Sequence, residues 1–417
     1  MEILSTGEKI KRARIYKGLT LKDLCEEKIS VSKMSCIENG KIKPEEWILD
    51  FIAEKLQVDP DYLKQDIRTQ LVRNVDELKK QHYSKEYEEI LEYNLKYIEE
   101  YCYYDLSFEV IHLLFNYYLD QNKIEKIHLM ISKYYDYLQK CFTEDRSAIY
   151  YMDIARFLFS TKEFSQAASY YNNVRKISKS RDNYGLLSRS TYNEAACYLM
   201  LEDYDKAYEI AVRLIDLMDY IETDIKKAEA YHMLAMLCLR RNRDKFSEYE
   251  QKSYELYKSD QVHKAQAIYN YAAVMFSVGL RDKAINYVNR ALNCYPRNNK
   301  ELLVGFMLTN INKLIENDVL EKAQGICDEA LNYAIALDNI IFVERAYYYK
   351  ALILEREGNL NSAEMYMNLS LDALLKFASN SQIYKRYMEM GDMYHRMENI
   401  NESIKYFNFA IQLEKKM

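Results

Sequence analysis

Apolar positions in the first sixty residues recur at helical spacing, interrupted by short polar turns. Ile10, Ala13 and Ile15 fall on one helix that ends near Lys17 and Gly18, where glycine is a natural stop. Thr20 then stands as an N-cap with Asp23 three residues on, and the helix it opens buries Leu21, Leu24 and Cys25. Ser30 caps a third helix, Val31 to Glu38, closed by Asn39 and Gly40. Pro44 fits the entry to a fourth, and Ile48, Phe51, Ile52, Leu56 and Val58 supply further core positions.

Beyond residue 80 the pattern becomes a repeat of about 40 residues. It is carried by the segments starting at Phe164, Tyr204, Arg281, Leu320, Leu360 and Ile400, each with Ala or Ser three positions later. Phe246 fills the gap, and Tyr83 to Glu86 and Ile124 begin degenerate earlier members, for about nine helix pairs. A small residue lies some 11–12 positions before the Ala or Ser of most of these segments, or before Phe246: Ala155, Ala196, Ala235, Ala273, Ala351 and Gly391. A small residue where two helices cross, then Ala where the second packs, is the tetratricopeptide pattern. The expected fold is all-α: a helix-turn-helix domain over 1–66, a linker helix over 67–80, and a right-handed tetratricopeptide-type α-solenoid over 81–417. Three prolines and nine glycines in 417 residues fit helix nearly throughout.

The first stretch resembles the phage-repressor-like helix-turn-helix family. The resemblance rests on Gly18, Leu19, Thr20, Leu21 and Leu24, then Ser30, Met34, Ile37, Glu38, Asn39, Gly40 and Lys41, and continues through Pro44, Leu49, Ile52, Ala53, Leu56 and Val58. It implies that the third helix lies in the major groove. Val31, Ser32, Ser35 and Cys36 would then face bases, with Lys33 at a base or a phosphate. Thr20, Asn39 and Lys41 would touch the DNA backbone. Arg14 and Glu38 match the family's structural ion pair. The base-facing positions lack the Arg, Gln and Asn that make bidentate base contacts, so no operator sequence follows. The alternative is that the module keeps this fold but binds protein.

The net charge of −6 does not mark a nucleic-acid binder, but residues 1–43 hold ten Lys or Arg against six Asp or Glu. The 41 tyrosines, with abundant Lys, Ile and Asn, match an AT-rich genome as readily as an aromatic surface. Eight scattered cysteines form no CxxC pair or disulfide framework, as suits a reducing cytoplasm. No apolar run spans a bilayer and no signal core opens the chain, so a soluble, cytoplasmic protein is expected. The six histidines, His82, His112, His128, His232, His263 and His395, form no HExxH, and GxSxG, P-loop and GxGxxG motifs are missing. No enzyme activity, cofactor or metal is expected.

In a solenoid the first helix of each pair lines the concave wall. Three residues before the small crossing residue lie Met152, Asn193, His232, Asn270, Tyr348 and Met388; four further on lie Arg156, Cys197, Met236, Val274, Leu352 and Asp392. Asn193 and Asn270 present amides complementary to a peptide backbone, and Arg156 suits a peptide carboxylate. His232, Tyr348 and Arg345 complete the candidate peptide-binding set. For each, a solvated groove residue is the plainer alternative.

Together the two halves are similar to the RRNPP family of bacterial peptide-pheromone receptors. The opening segment from Met1 to Ile10 and the Tyr-rich array look most similar to its clostridial RstA-type regulators of toxin production and sporulation. The resemblance implies a homodimer, double-stranded DNA with a two-fold symmetric operator, and a short signalling peptide on the concave wall, as in quorum sensing. Asn193 and Asn270 are the transfer, by repeat position, of the family's peptide-holding asparagines. The alternatives are a constitutive regulator and a dual-role protein whose array also grips a response regulator.

Overall fold

Five short helices open the chain: α1 (Thr6–Tyr16), α2 (Leu21–Cys25), α3 (Val31–Glu38), α4 (Glu46–Leu56) and α5 (Pro60–Lys64). Side chains fix where they begin. Ser5 with Glu8 and Thr20 with Asp23 form reciprocal capping boxes at α1 and α2, and the Ser30 hydroxyl accepts from the Lys33 amide at 3.1 Å at α3. Their apolar faces close on one core that includes Ile10, Leu24, Met34, Ile37, Ile52 and Leu63. Ile15, expected inside, is 59% exposed. It lies five residues, about 140° around the helix, from buried Ile10. Gly7 lets α1 approach α3, since a Cβ there would sit 2.3 Å from the carbonyl oxygen of Ile37. The buried ammonium of Lys9 donates to the carbonyls of Tyr62 (2.7 Å) and Gln65 (2.8 Å), satisfying the end of α5.

The computed structural model describes residues 3–80, 83–84, 86–241, 244–258 and 260–416. Met1 and Glu2 of the opening segment, Gln81 and Met417 at the bounds expected for the repeat domain, His82, and Lys85 lie outside these ranges. The described residues are all-α and form two compact units, 1–201 and 202–417.

The first unit continues through α6 (Ile67–Leu78), α7 (Tyr87–Glu100), α8 (Tyr104–Asp120), α9 (Ile124–Lys140), α10 (Glu144–Ser160), α11 (Phe164–Ser180) and α12 (Tyr184–Met200). The segment expected as a linker helix is a packed member of this series. Leu71, Val75 and Leu78 of α6 are buried in one core with Tyr87, Leu91, Phe115 and Tyr134, and Ile3 joins them from the N-terminus. Gln70 reinforces that tie by bonding both the amide and the carbonyl of Leu4. This explains why the first compact unit runs to Leu201 instead of ending near residue 66.

The second unit comprises α13 (Tyr204–Ala211), extended by a 3-10 helix over Val212–Tyr220, then α14 (Asp224–Arg240), α15 (Phe246–Tyr257), α16 (Gln261–Ser277) and α17 (Arg281–Cys294). It ends with α18 (Lys300–Glu316), α19 (Leu320–Ala336), α20 (Ile340–Arg356), α21 (Leu360–Leu374), α22 (Asn380–Arg396) and α23 (Ile400–Glu414). The starting residues expected for the second helices, from Ile124 to Ile400, are those at which the odd-numbered helices from α9 to α23 begin. Ala167, Ala207, Ala284, Ala323 and Ala363 near those starts are fully buried.

One register needs correction. The even-numbered helices from α8 to α22 are each 17 residues long. Counted from their first residues, the twelfth position is Phe115, Ala155, Ala195, Ala235, Ala272, Ile311, Ala351 and Gly391, all buried. In α12 and α16 the crossing residue is therefore Ala195 and Ala272, not the half-buried Ala196 and Ala273. Adjacent alanines in both helices made the sequence ambiguous by one residue, a step of about 100° around the helix. Asn193 and Asn270 stay equivalent to each other at the tenth position, but their counterparts are Asp153, Met233, Tyr349 and Glu389. His232 and Tyr348 share the ninth position with Tyr192 and Tyr269. The same shift explains why Cys197 and Val274, expected on the wall, are buried.

Candidate functional site

Helix α3 is held at one end and open at the other. Glu38, in its last turn, is 4% exposed and receives the Arg14 guanidinium through two bonds, 2.7 and 2.9 Å. Arg14 also donates to the carbonyl of Leu19 at 2.9 Å, so one side chain joins α1, the α1–α2 turn and α3. Met34 and Ile37 are buried beneath the helix. Val31 and Ser32 are exposed, and Lys33, Ser35 and Cys36 are half-buried. The Asn39 amide donates to the Ser35 carbonyl at 2.8 Å and so closes the helix. The Thr20 hydroxyl donates to Asp23 at 2.6 Å, and Lys41 is exposed in the following loop.

Two residues beside this face escaped sequence reasoning. Glu45, just before α4, accepts from Lys33 Nζ at 2.9 Å and from Trp47 Nε1 at 2.6 Å. The ammonium and the indole hold the Glu45 carboxyl below its ordinary range, the Lys33 bond being the larger cause. The available signal was the one tryptophan of the chain, on a helix whose apolar positions are filled without it.

In the first unit, Arg156 faces α8 and is already engaged: its guanidinium bonds Asn116 Oδ1 and approaches Asp120 at 3.5 Å. Next to it, buried Asp153 accepts from Tyr134 OH at 2.8 Å and lies 2.6 Å from His112 Nδ1. Asn193 is half-buried.

In the second unit, His232 is only 9% exposed, and burial lowers its pKa to about 4, so the ring is neutral. Its Nε2 lies 3.3 Å from Asn270 Nδ2. His232, expected in the peptide-binding set, is buried and orients Asn270, whose Oδ1 also accepts from Gln266 at 3.4 Å. The Tyr348 hydroxyl donates to Glu389 at 3.1 Å, and the Arg386 guanidinium lies 4.1 Å above its ring. Arg386 is itself anchored by buried Glu344 at 2.9 Å. Tyr348, Leu352 and Asp392, three residues of the expected wall, line one cavity of about 540 Å³ with Met367, Glu355 and Arg396. Arg345 is exposed and does not line that cavity. The chemistry on offer is an apolar floor with charges of both signs at its edge.

No helix among the described residues is long and apolar enough to cross a membrane. Among them no group of three or more His, Cys, Asp or Glu is placed to hold a metal ion. No protein-family model and no curated protein matches the sequence. Solved structures align with most of the chain at low identity. The apo form of the quorum sensor NprR from B. thuringiensis is 15% identical, covering 84% of this chain and 100% of its own, with a TM-score of 0.46. A Rap protein complexed with competence and sporulation factor is 14% identical, covering 83% and 98%, with a TM-score of 0.44. PlcR from B. thuringiensis, in complex with the peptide PapR7 and DNA, is 13% identical over 97% and 99%, with a TM-score of 0.26.

Proposed function

We propose that the chain is a DNA-binding transcription regulator whose helix-pair array takes a short signalling peptide. One observation carries the DNA half: α3 is pinned at its C-terminal end by the Arg14–Glu38 pair and its buried Met34 and Ile37, while Val31 and Ser32 stand free on its first turn. A rigid helix with an open N-terminal face is what the major groove accepts. Val31 offers a methyl contact to thymine, the serines donate or accept, and Lys41 adds a salt-dependent term. Asn39 keeps a second amide hydrogen for the DNA backbone, whereas Thr20 would have to turn its hydroxyl from Asp23 to a phosphate. A homodimer on a two-fold symmetric site completes the reading.

For the peptide half, Asn270 holds its amide on the helix face that also carries Gln266, and Asn193 occupies the equivalent position in α12. Tyr348 and Arg345 supply further contacts. Arg156 would have to exchange Asn116 and Asp120 for a peptide carboxylate. That prior engagement, with the burial of His232, favours a second reading in which the array binds a protein such as a response regulator, or serves a constitutive regulator.

Sequencing genomic fragments bound by the purified protein, with and without culture supernatant, tests both halves. Recovery of a small set of two-fold symmetric sites, lost in a Ser32→Glu, Lys33→Glu variant, is the expected result. No preference for any fragment at physiological salt would overturn the DNA half. Asn193→Ala and Asn270→Ala should weaken the supernatant's effect and leave binding in its absence intact; an unchanged response removes those two residues from the peptide site.

A further inference from the structure

Glu45 stands at the N-cap of α4, where a side-chain oxygen ordinarily accepts from an amide of the first turn. It makes no such bond. Both of its carboxylate oxygens are committed instead, one to Lys33 of α3 and the other to the indole of Trp47. The Lys33 ammonium also lies 6.0 Å from the Trp47 ring centroid, and that ring is 48% exposed. The neighbouring carboxylate does not substitute for Glu45, because Glu46 lies 3.4 Å from Lys64, which also holds Asp50 at 2.8 Å. Lys33, the one cation on α3, is therefore neutralised in the free protein by a group from outside its own helix.

We infer that Glu45 is a specificity-determining residue of the α3 face: it occupies Lys33 in place of a phosphate or base acceptor. The inference rests on the DNA reading above. An ammonium is a compact point charge that any phosphate attracts, and such contacts make up most sequence-independent affinity. A lysine held by a carboxylate on the same surface adds no net charge to that attraction. An exposed pair of this kind is weak, so it exchanges readily when a better-placed acceptor arrives. Lys33 then contributes only where the duplex sets an acceptor within its reach. The device gives discrimination to a helix whose other base-facing residues, Val31, Ser32, Ser35 and Cys36, make few directional contacts.

The test uses the full chain as wild type, Glu45→Gln, Lys33→Gln and the double variant, with helix content by circular dichroism as the folding check. Each is titrated with a labelled random-sequence duplex, and with a fragment recovered by genomic selection, over a range of salt. Glu45→Gln should tighten random duplex roughly five-fold and steepen the dependence of log affinity on log salt by about one. It should tighten the selected fragment less. In the Lys33→Gln background the same substitution should change random-duplex affinity less than two-fold. The role of Glu45 is overturned if Glu45→Gln has less than a two-fold effect in the wild-type background, or the same effect with and without Lys33, since the second outcome is a general charge effect. If the wild type binds neither duplex, the DNA reading itself fails and the role of Glu45 falls with it.

Discussion

Helix α3 is eight residues long and keeps its place through a charge; α10 is 17 residues long and keeps its place where a side chain is nearly missing. In the N-terminal helices the decisive contacts are individual polar groups: two capping boxes, the Arg14–Glu38 pair, and Lys9 on the carbonyls that end α5. A five-residue helix such as α2 has too few hydrogen bonds to persist alone, so caps and ion pairs define it. In the array, long helices are already favourable, and what must be specified is their angle and spacing. Ala155, Ala195, Ala235 and Ala351 do that by taking up little room at the crossing. The first region therefore depends on individual polar groups, while the spacing of the second is set by small residues at its helix crossings.

The sharpest way to break that contrast is to delete Arg14. Arg14→Ala leaves Glu38, 4% exposed, charged and without its guanidinium. Removing one partner of a buried pair costs about 3–5 kcal/mol. Because Trp47 is the sole tryptophan and lies on α4, its fluorescence reports the N-terminal helices, while far-ultraviolet circular dichroism reports mostly the array. In a urea titration the fluorescence midpoint should fall well below the dichroism midpoint. Two midpoints that fall together would show that the array depends on the same contact.

A slightly smaller effect is expected in the second unit, where burial shifts His232 within the acid range. Its pKa falls from about 6.5 in an unfolded chain to about 4 in the fold. Between those values the unfolded chain binds a proton that the folded chain refuses. Stability is therefore full above pH 6.5, is lost as pH falls through that window, and levels off near pH 4, for about 3 kcal/mol in all. His232→Gln keeps an acceptor for Asn270 and should flatten this dependence. Urea midpoints at pH 7 and pH 4.5 that differ equally in wild type and variant would remove His232 as the cause.

The same contrast explains what was legible in the sequence. The helix boundaries were, because caps and the alternation of apolar stripes are local signals: Thr20, Ser30 and the repeated starts from Ile124 to Ile400 each mark an observed helix. The register of the inner faces was legible only where the crossing residue was unique. Ala235 and Gly391 fixed it, whereas Ala195 beside Ala196 and Ala272 beside Ala273 left a one-residue choice that depends on the neighbouring helix. His232 looked like a ligand contact because its burial comes from packing against Tyr271, whose ring centroid is 4.7 Å away and which no local pattern reveals. Glu45 was invisible for a related reason, since its partners lie 12 residues before it and two after.

Two glycine substitutions sharpen the comparison at the level of one methyl group. At Gly7 a Cβ would meet the backbone oxygens of Ile37 and Glu38 at 2.3 and 2.8 Å, and neither can swing aside. Gly7→Ala should cost about 2–3 kcal/mol, in the range of overpacked cores. At Gly391 the obstruction is the Phe407 ring at 2.6 Å, a half-buried side chain that can rotate. Gly391→Ala should cost about 1 kcal/mol. Thermal melts of the two variants would rank them, and a Gly391 penalty equal to that of Gly7 would show that Phe407 is fixed in place.

The smallest expected effect is a gain. Gly279 and Gly358 end their helices with φ of 79° and 81°, but Lys162 (66°) and Glu398 (60°) take the same left-handed conformation with a full side chain. That conformation is disfavoured by roughly 1–2 kcal/mol in a residue with a Cβ, and glycine returns about half of this through its freer unfolded chain. Lys162→Gly and Glu398→Gly should each stabilise the chain by about 0.5 kcal/mol. Lys162→Gly changes the first unit and Glu398→Gly the second. If the two units unfold independently, each substitution should raise only the melting step of its own unit. If either raises the whole transition, the units are thermodynamically coupled, and a ligand bound to one of them has a route to the stability of the other.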